Sequence, residues 1–123
     1  MARAFEEPKP LEWRGTSKRD FMVFPAAVQR EMGYALFLAQ AGQRHGRMAK
    51  TLKGFGGGTT IEVRENHEEN TYRAVYTVRF AEAVYVLHAF QKKSTKGRAT
   101  PAPDLALIEK RLKELIMERQ GLR

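Results

Sequence analysis

The 123-residue sequence contains no cysteine. This absence excludes disulfide bonds, thiol nucleophiles and zinc–thiolate sites, and it fits a reducing compartment. The sequence also has no run of about 18 uncharged apolar residues, the length that a membrane-spanning helix needs. The N-terminal segment MARAFEEPKPLEW has no apolar stretch that could serve as a signal peptide. We therefore expect a cytoplasmic protein with no membrane partner.

Acidic residues are scarce relative to basic ones. The chain has 22 Lys plus Arg against 14 Asp plus Glu, which gives a net charge of +8 and a pI near 10.0. A positive excess of this size in so short a chain favours a polyanionic partner, either nucleic acid or an anionic membrane. The alternative is a basic surface that only keeps the protein soluble.

Several catalytic and metal-binding motifs are also missing. The stretch GFGGG at 54–58 has no Gly-Lys-Ser/Thr after it, so it is not a phosphate-binding P-loop. No G-x-S-x-G occurs. The histidines, His45, His67 and His88, are far apart and have no cysteine or carboxylate at ligand spacing. We therefore predict neither a metal site nor a cofactor.

The hydropathy pattern predicts an α+β domain with helices packed on a small antiparallel sheet. We expect a flexible leader over 1–10 and a single domain over 11–123. Within it, the pattern predicts a short strand in LEWRGT, two helical pieces interrupted at Pro25, three strands in TTIEVR, NTYRAVYTVRF and AVYVLHAFQ, and a C-terminal helix. Ser17 and Thr100 are the expected N-caps of helices, the latter ahead of a proline at the first helical position.

Positive charge is concentrated where the last predicted strand ends, in LHAFQKKSTKGRATP. This stretch holds Lys92, Lys93, Lys96 and Arg98 with no acid among them. Cations anchored to a rigid strand can hold phosphates in a defined place. The alternative is a solvated loop.

Two further basic pairs lie outside that stretch. Lys50 and Lys53 in KTLKG share a side if the segment is helical. Arg64 and Arg73 flank the turn ENHEEN, so they project from one face if their strands pair around it. Each is an ordinary surface residue if taken alone. The functional prediction is that all three basic sets converge on one patch.

Two other features could take part in RNA chemistry. His88 lies near the lysine cluster and is a candidate proton carrier, although a packed strand histidine is the alternative. Aromatic side chains on the strands could stack on unpaired bases, or could belong to the core; they are Tyr72, Tyr76, Tyr85 and Phe90.

Several segments, taken in order, resemble a known family. They are KTLKGFGGGTTIEVRE, TYRAVYTVRF, VYVLHAFQKKSTKG, a Thr-Pro, and DLALIEKRLKE. From about Phe24 to Leu115, the sequence resembles the phage-derived HigB-like toxins of the RelE/ParE superfamily. The resemblance implies a RelE-like fold and the toxin half of a type II toxin–antitoxin pair, with a helix-turn-helix antitoxin as the expected partner.

The resemblance also implies an activity. It points to a ribosome-dependent endoribonuclease that cuts mRNA in the decoding site without a metal, through attack of a ribose 2′-hydroxyl on the adjacent phosphate. Carried over residue by residue, it implies catalytic roles for Arg64, Lys92 and Lys93. It implies RNA binding by Lys50, Lys53, Arg73, Lys96 and Arg98.

The sequence departs from the family pattern in two places. GRA at 97–99 lengthens the link between the last cations and Thr-Pro, and the terminal helix has no tyrosine, so the general acid and base stay open. A branch of the superfamily poisons DNA gyrase instead of cutting RNA. The alternatives are therefore a non-enzymatic toxin or binder, directed at gyrase or RNA, and an inactive prophage relic.

Overall fold

The computed structural model describes residues 7–92 and 99–121. The predicted α+β class is confirmed, with an N-terminal strand, helices, a sheet and a C-terminal helix. The elements in chain order are β1 (Leu11–Trp13), α1 (Ser17–Met22), α2 (Ala26–Gln40), β2 (Ala49–Thr51), β3 (Thr60–His67), β4 (Asn70–Thr77), β5 (Val84–Lys92) and α3 (Ala102–Gly121).

The five strands form one mixed sheet in the order β1-β5-β4-β3-β2. The pairs β3–β4 and β4–β5 are antiparallel, as predicted for the three strands joined by short links, and the additional strand β2 pairs antiparallel with β3. β1 runs parallel to β5, at the edge of the sheet opposite β2. Strand β2 has only three residues, too few for alternation to reveal it.

The helical break at Pro25 is confirmed. Helix α1 ends at Met22, and α2 begins directly after the proline, whose ring fixes φ and cannot donate a hydrogen bond. The two helices cover one face of the sheet. Their buried side chains pack against the inward positions of β3, β4 and β5, as Met32, Leu36, Val63 and Ala74 illustrate. This layer contains the larger part of the core.

Helix α3 packs on the opposite face of the sheet. Its buried residues Ile108, Leu112 and Leu115 contact Val75 and Leu87 in a second apolar cluster. A register shift in β4–β5 at Val75/Tyr76 changes the local pairing there. The cluster involves the part of this face near the start of β5, and polar and charged residues such as Thr71, Glu62 and Arg73 lie elsewhere on it.

Three local expectations from the sequence are wrong. Ser17 caps no helix, because its buried hydroxyl donates to the Val86 carbonyl oxygen at 3.1 Å. The Thr100 hydroxyl is likewise used elsewhere, donating to Glu62 at 2.9 Å. The segment holding Lys50 is strand β2 and not a helix, so Lys50 and Lys53 do not share a helical face.

Part of the predicted leader contacts the domain. Residues 1–6 lie outside the described residues, but the Lys9 amide donates to the Gln40 carbonyl at 2.9 Å, and the Val84 amide donates to the Pro10 carbonyl at 3.0 Å. The chain is therefore attached to α2 and β5 before β1 begins. Over the described ranges, none of the helices is both long and apolar enough to cross a bilayer.

Candidate nucleic-acid interface

Basic side chains from three strands share the sheet face on which α3 packs. Arg64 on β3 lies directly opposite Arg73 on β4, and Lys50 on β2 lies opposite Glu62 on β3. Residues opposite each other in antiparallel strands point to the same side of the sheet, and residues two apart on one strand do so as well. The expectation that Arg64 and Arg73 project from one face is therefore confirmed.

A groove of about 540 Å³ lies between these strands and the beginning of α3. Cationic side chains border it, and leucine side chains contribute an apolar surface. The lining residues are Lys50, Thr51, Leu52, Lys53, Glu62, Arg64, Ala99, Thr100 and Leu105. The groove brings Lys50 and Lys53 together with Arg64, although the two lysines reach it from a strand and a loop.

Arg64 and Lys92 both lie near the residues that lead into α3. The Arg64 Nε donates to Glu62 Oε1 at 2.8 Å, and one third of the Arg64 side chain (33%) is exposed. The Lys92 Nζ lies 3.5 Å from the carbonyl oxygen of Ala99, which lines the groove. Lys92 therefore lies at the margin of the groove.

Arg73 is buried beneath the same surface, with 1% of the residue exposed. Its Nη1 donates to the Ala99 carbonyl at 3.3 Å and lies 3.7 Å from Glu62 Oε2. Burial lowers the pKa of Arg73, and the nearby Arg64 lowers it further, whereas Glu62 raises it. In this position Arg73 supports the groove from below, and its contact with RNA stays a prediction.

His88 is tied to the start of α3. Its Nε2 lies 2.7 Å from Asp104 Oδ1, and its ring stacks on Phe90 with the centroids 4.9 Å apart. The Nδ1 atom is buried and has no hydrogen-bond partner in the part of the chain that the structure describes. The visible arrangement is a packed strand histidine that fastens α3 to the sheet, and the role of proton carrier stays a prediction.

Three residues of this site were not predicted from the sequence. Glu62 contacts Arg64, and Asp104 contacts His88. Thr100 donates a hydrogen bond to Glu62. A signal for Glu62 was present, since it lies two residues before Arg64 in a strand and so shares its face. Nothing local indicated the other two partners. Lys93, Lys96 and Arg98 lie outside the described residues.

The aromatic side chains proposed for stacking are mostly in the interior. Tyr72, Tyr76 and Tyr85 are 6%, 1% and 8% exposed, and Phe90 is half-buried beside His88. Among residues 7–92 and 99–121, no three histidine, aspartate or glutamate side chains are grouped so as to hold a metal ion. The side chains that line the groove supply cations, hydroxyls and one buried carboxylate.

Residues 19–113 match the protein family described as "Phage derived protein Gp49-like (DUF891)". The chain belongs to this family. In this Gp49-like protein the matched range includes every side chain that lines the groove. Membership of the family names a phage-derived lineage and assigns no role to any residue.

Further comparisons gave one structural similarity and no curated relative. The Gp49-like chain is similar to a chain in the crystal structure of the toxin–antitoxin complex RelBE2 from Mycobacterium tuberculosis. The TM-score is 0.48 and the identity is 18%, and the alignment covers 71% of this chain and 94% of that chain. No curated protein matches.

Proposed function

We propose that this protein is the toxin of a type II toxin–antitoxin pair and a ribosome-dependent, metal-independent mRNA endoribonuclease. The observation that carries the proposal is the groove in which Lys50, Lys53 and Arg64 meet, with Lys92 at its margin. The net charge of +8 suits a polyanionic substrate. The resemblance of the sequence to HigB-like toxins supports the same activity.

In the proposed reaction, no protein side chain forms a covalent bond to the RNA. The ribose 2′-oxygen loses its proton and attacks the adjacent phosphorus, the bond to the 5′-oxygen breaks, and that oxygen takes a proton. The products are a 2′,3′-cyclic phosphate and a 5′-hydroxyl. Because the RNA supplies the nucleophile, the protein must orient it and stabilise the extra negative charge on the phosphate in the transition state.

Each basic residue of the predicted site has a proposed role in this reaction. Arg64, with Lys92 and Lys93, stabilises the charge on the reacting phosphate, and Lys50 and Lys53 hold the neighbouring backbone on the far side of the groove. Arg73 keeps the groove in shape from beneath. Lys96 and Arg98 are proposed to bind RNA close to Lys93, which they follow in sequence.

The test is induction of the protein in bacterial cells, with growth and cellular mRNA followed together. The wild type should arrest growth and produce discrete 5′-hydroxyl ends in translated mRNA, detected by primer extension. Arg64→Ala and the double variant Lys92→Ala/Lys93→Ala should each relieve the arrest. A helix-turn-helix antitoxin encoded beside the toxin gene should also relieve it when co-expressed.

Matched controls separate the site from the overall charge. Lys110→Ala/Lys113→Ala removes two lysines whose side chains are each 70% exposed on α3, and Arg19→Ala removes an arginine whose side chain is 76% exposed on α1. Both should remain toxic. Full toxicity of the Arg64 and Lys92/Lys93 variants would refute the assignments. Arrest without mRNA cleavage would favour a non-enzymatic toxin, and absence of arrest an inactive relic.

A further inference from the structure

Glu62 is a buried carboxylate in the floor of a cationic groove. Only 3% of the residue is exposed, yet it lies on the same sheet face as Arg64 and Arg73. A carboxylate without water is strongly disfavoured unless charged or hydrogen-bonding partners surround it. The hydrogen-bond and charged partners of Glu62 therefore explain how its carboxylate can be buried.

The two carboxylate oxygens of Glu62 have different partners. Oε1 accepts a hydrogen bond from Arg64 Nε at 2.8 Å. Oε2 accepts one from the Thr100 hydroxyl at 2.9 Å and lies 3.7 Å from Arg73 Nη1. One oxygen thus contacts Arg64, which is partly exposed, and the other contacts Thr100 and the buried Arg73.

The contact with Arg64 uses the nitrogen nearest its aliphatic stem. A bond at Nε restricts rotation of the guanidinium plane, and the terminal amino groups extend further along a side chain that is 33% exposed. A guanidinium held in one orientation can meet phosphate oxygens without first losing rotational freedom. Two hydrogen bonds therefore connect Thr100, just before α3, through Glu62 to Arg64. Through them, the position of Thr100 influences how the Arg64 guanidinium is oriented in the groove.

We propose that Glu62, held by Thr100, is a positioning residue that orients the Arg64 guanidinium toward a phosphate bound in the groove. The inference rests on the proposed function for its catalytic consequence, but the orientation itself does not depend on RNA. A buried ion pair contributes little net stability compared with apolar packing, so stability alone does not explain this arrangement.

The decisive variant is Thr100→Val, which keeps the shape of the side chain and removes the hydroxyl. Its matched control is Thr71→Val on the same sheet face. Thr71 is also buried, and its hydroxyl donates to Asn66 Oδ1 at 2.9 Å, away from Glu62. Each variant loses one buried side-chain hydrogen bond, so both should lower the unfolding temperature, by roughly 5 °C for Thr71→Val and by more for Thr100→Val, whose bond goes to a carboxylate.

Of these two variants, only Thr100→Val should impair steady-state cleavage of ribosome-bound mRNA. We expect kcat to fall roughly 10- to 100-fold with little change in KM, as for a misplaced transition-state contact. Thr100→Ser should restore the rate, because it retains the hydroxyl. In an Arg64→Lys background, which has no Nε, Thr100→Val should cause no further loss, since its effect passes through that atom.

A second readout needs no RNA. The Arg64 Nε–H resonance should exchange slowly with solvent in the wild type and in Thr71→Val, shift in Thr100→Val, and exchange rapidly in Glu62→Ala. Equal resonances in the wild type and Glu62→Ala would overturn the positioning role, as would equal kcat for the Thr71 and Thr100 variants. Failure of the wild type to cleave RNA would instead overturn the proposed function and, with it, the catalytic consequence.

Discussion

Arg64 and Arg73 lie directly opposite each other on β3 and β4, yet their surroundings differ sharply. The Arg64 side chain is 33% exposed and the Arg73 side chain 2%. Like charges at opposite positions of a sheet repel each other. Glu62 contacts both arginines and offsets this repulsion. Arg64 thus faces the groove, and Arg73 is buried beneath it.

The lysines bordering the groove should contribute directly to the salt dependence of RNA binding. For Lys50→Ala/Lys53→Ala, the slope of log K against log salt concentration should become shallower by about 1.4, because two phosphate contacts to a single strand are lost. The measurement is a titration of purified protein with single-stranded RNA at several salt concentrations. Lys110→Ala/Lys113→Ala is the control, and the same slope change in both variants would contradict a defined site.

Replacing Gly15 or Gly33 with alanine should change the free energy of unfolding in opposite directions. Gly15 has φ +56°, and a Cβ there would lie 2.6 Å from Arg111 Nε, so Gly15→Ala should lower the free energy of unfolding by about 1–3 kcal/mol. Gly33 lies inside α2, where an added Cβ would meet open space outside the helix's own backbone, and Gly33→Ala should raise the free energy of unfolding by about 0.5–1 kcal/mol. Urea denaturation measures both, and destabilisation by both variants would be inconsistent with these local geometries.

The turn between β3 and β4 contains backbone strain. Glu68 and Glu69 have φ values of 48° and 70°, in the left-handed region that glycine tolerates best. Glu69→Gly should therefore raise the free energy of unfolding by about 1 kcal/mol. The same substitution at Glu114, within α3, should lower it by about 1 kcal/mol because glycine disfavours helix. Thermal unfolding of both variants tests the prediction, which a destabilised Glu69→Gly protein would contradict.

Tyr76 should make the fold sensitive to alkali. Burial raises its pKa to about 12, while Arg44 opposes the shift. The folded protein therefore holds this proton more tightly than the unfolded chain, so the associated stability is complete below pH 10 and is lost as pH rises toward 12. Tyr76→Phe should remove about 2 kcal/mol of the decline in unfolding free energy between pH 9 and 12. Identical pH profiles for the two proteins would contradict this prediction.

Much of the fold could be read from local pattern. The break at Pro25, the alternation along β3 and β4, and the buried stripe of α3 depend on residues close together in sequence. The common face of Arg64 and Arg73 followed from a hairpin around a polar turn. Strand β2 could not be read in this way, because its three residues have no clear periodicity. The parallel pairing of β1 with β5 could not be read either, because it joins segments that are far apart in sequence.

The amino-acid sequence by itself determined the α+β class, the positive charge and the positions along the chain where cations gather, because composition and periodicity are local properties. Only the tertiary structure decided that Arg73 is buried while Arg64 faces the groove. It also decided that the Thr100 hydroxyl donates a hydrogen bond to Glu62, 38 residues away, and does not cap a helix. Burial and hydrogen-bond partners depend on which distant surfaces pack together, and local periodicity does not specify that packing.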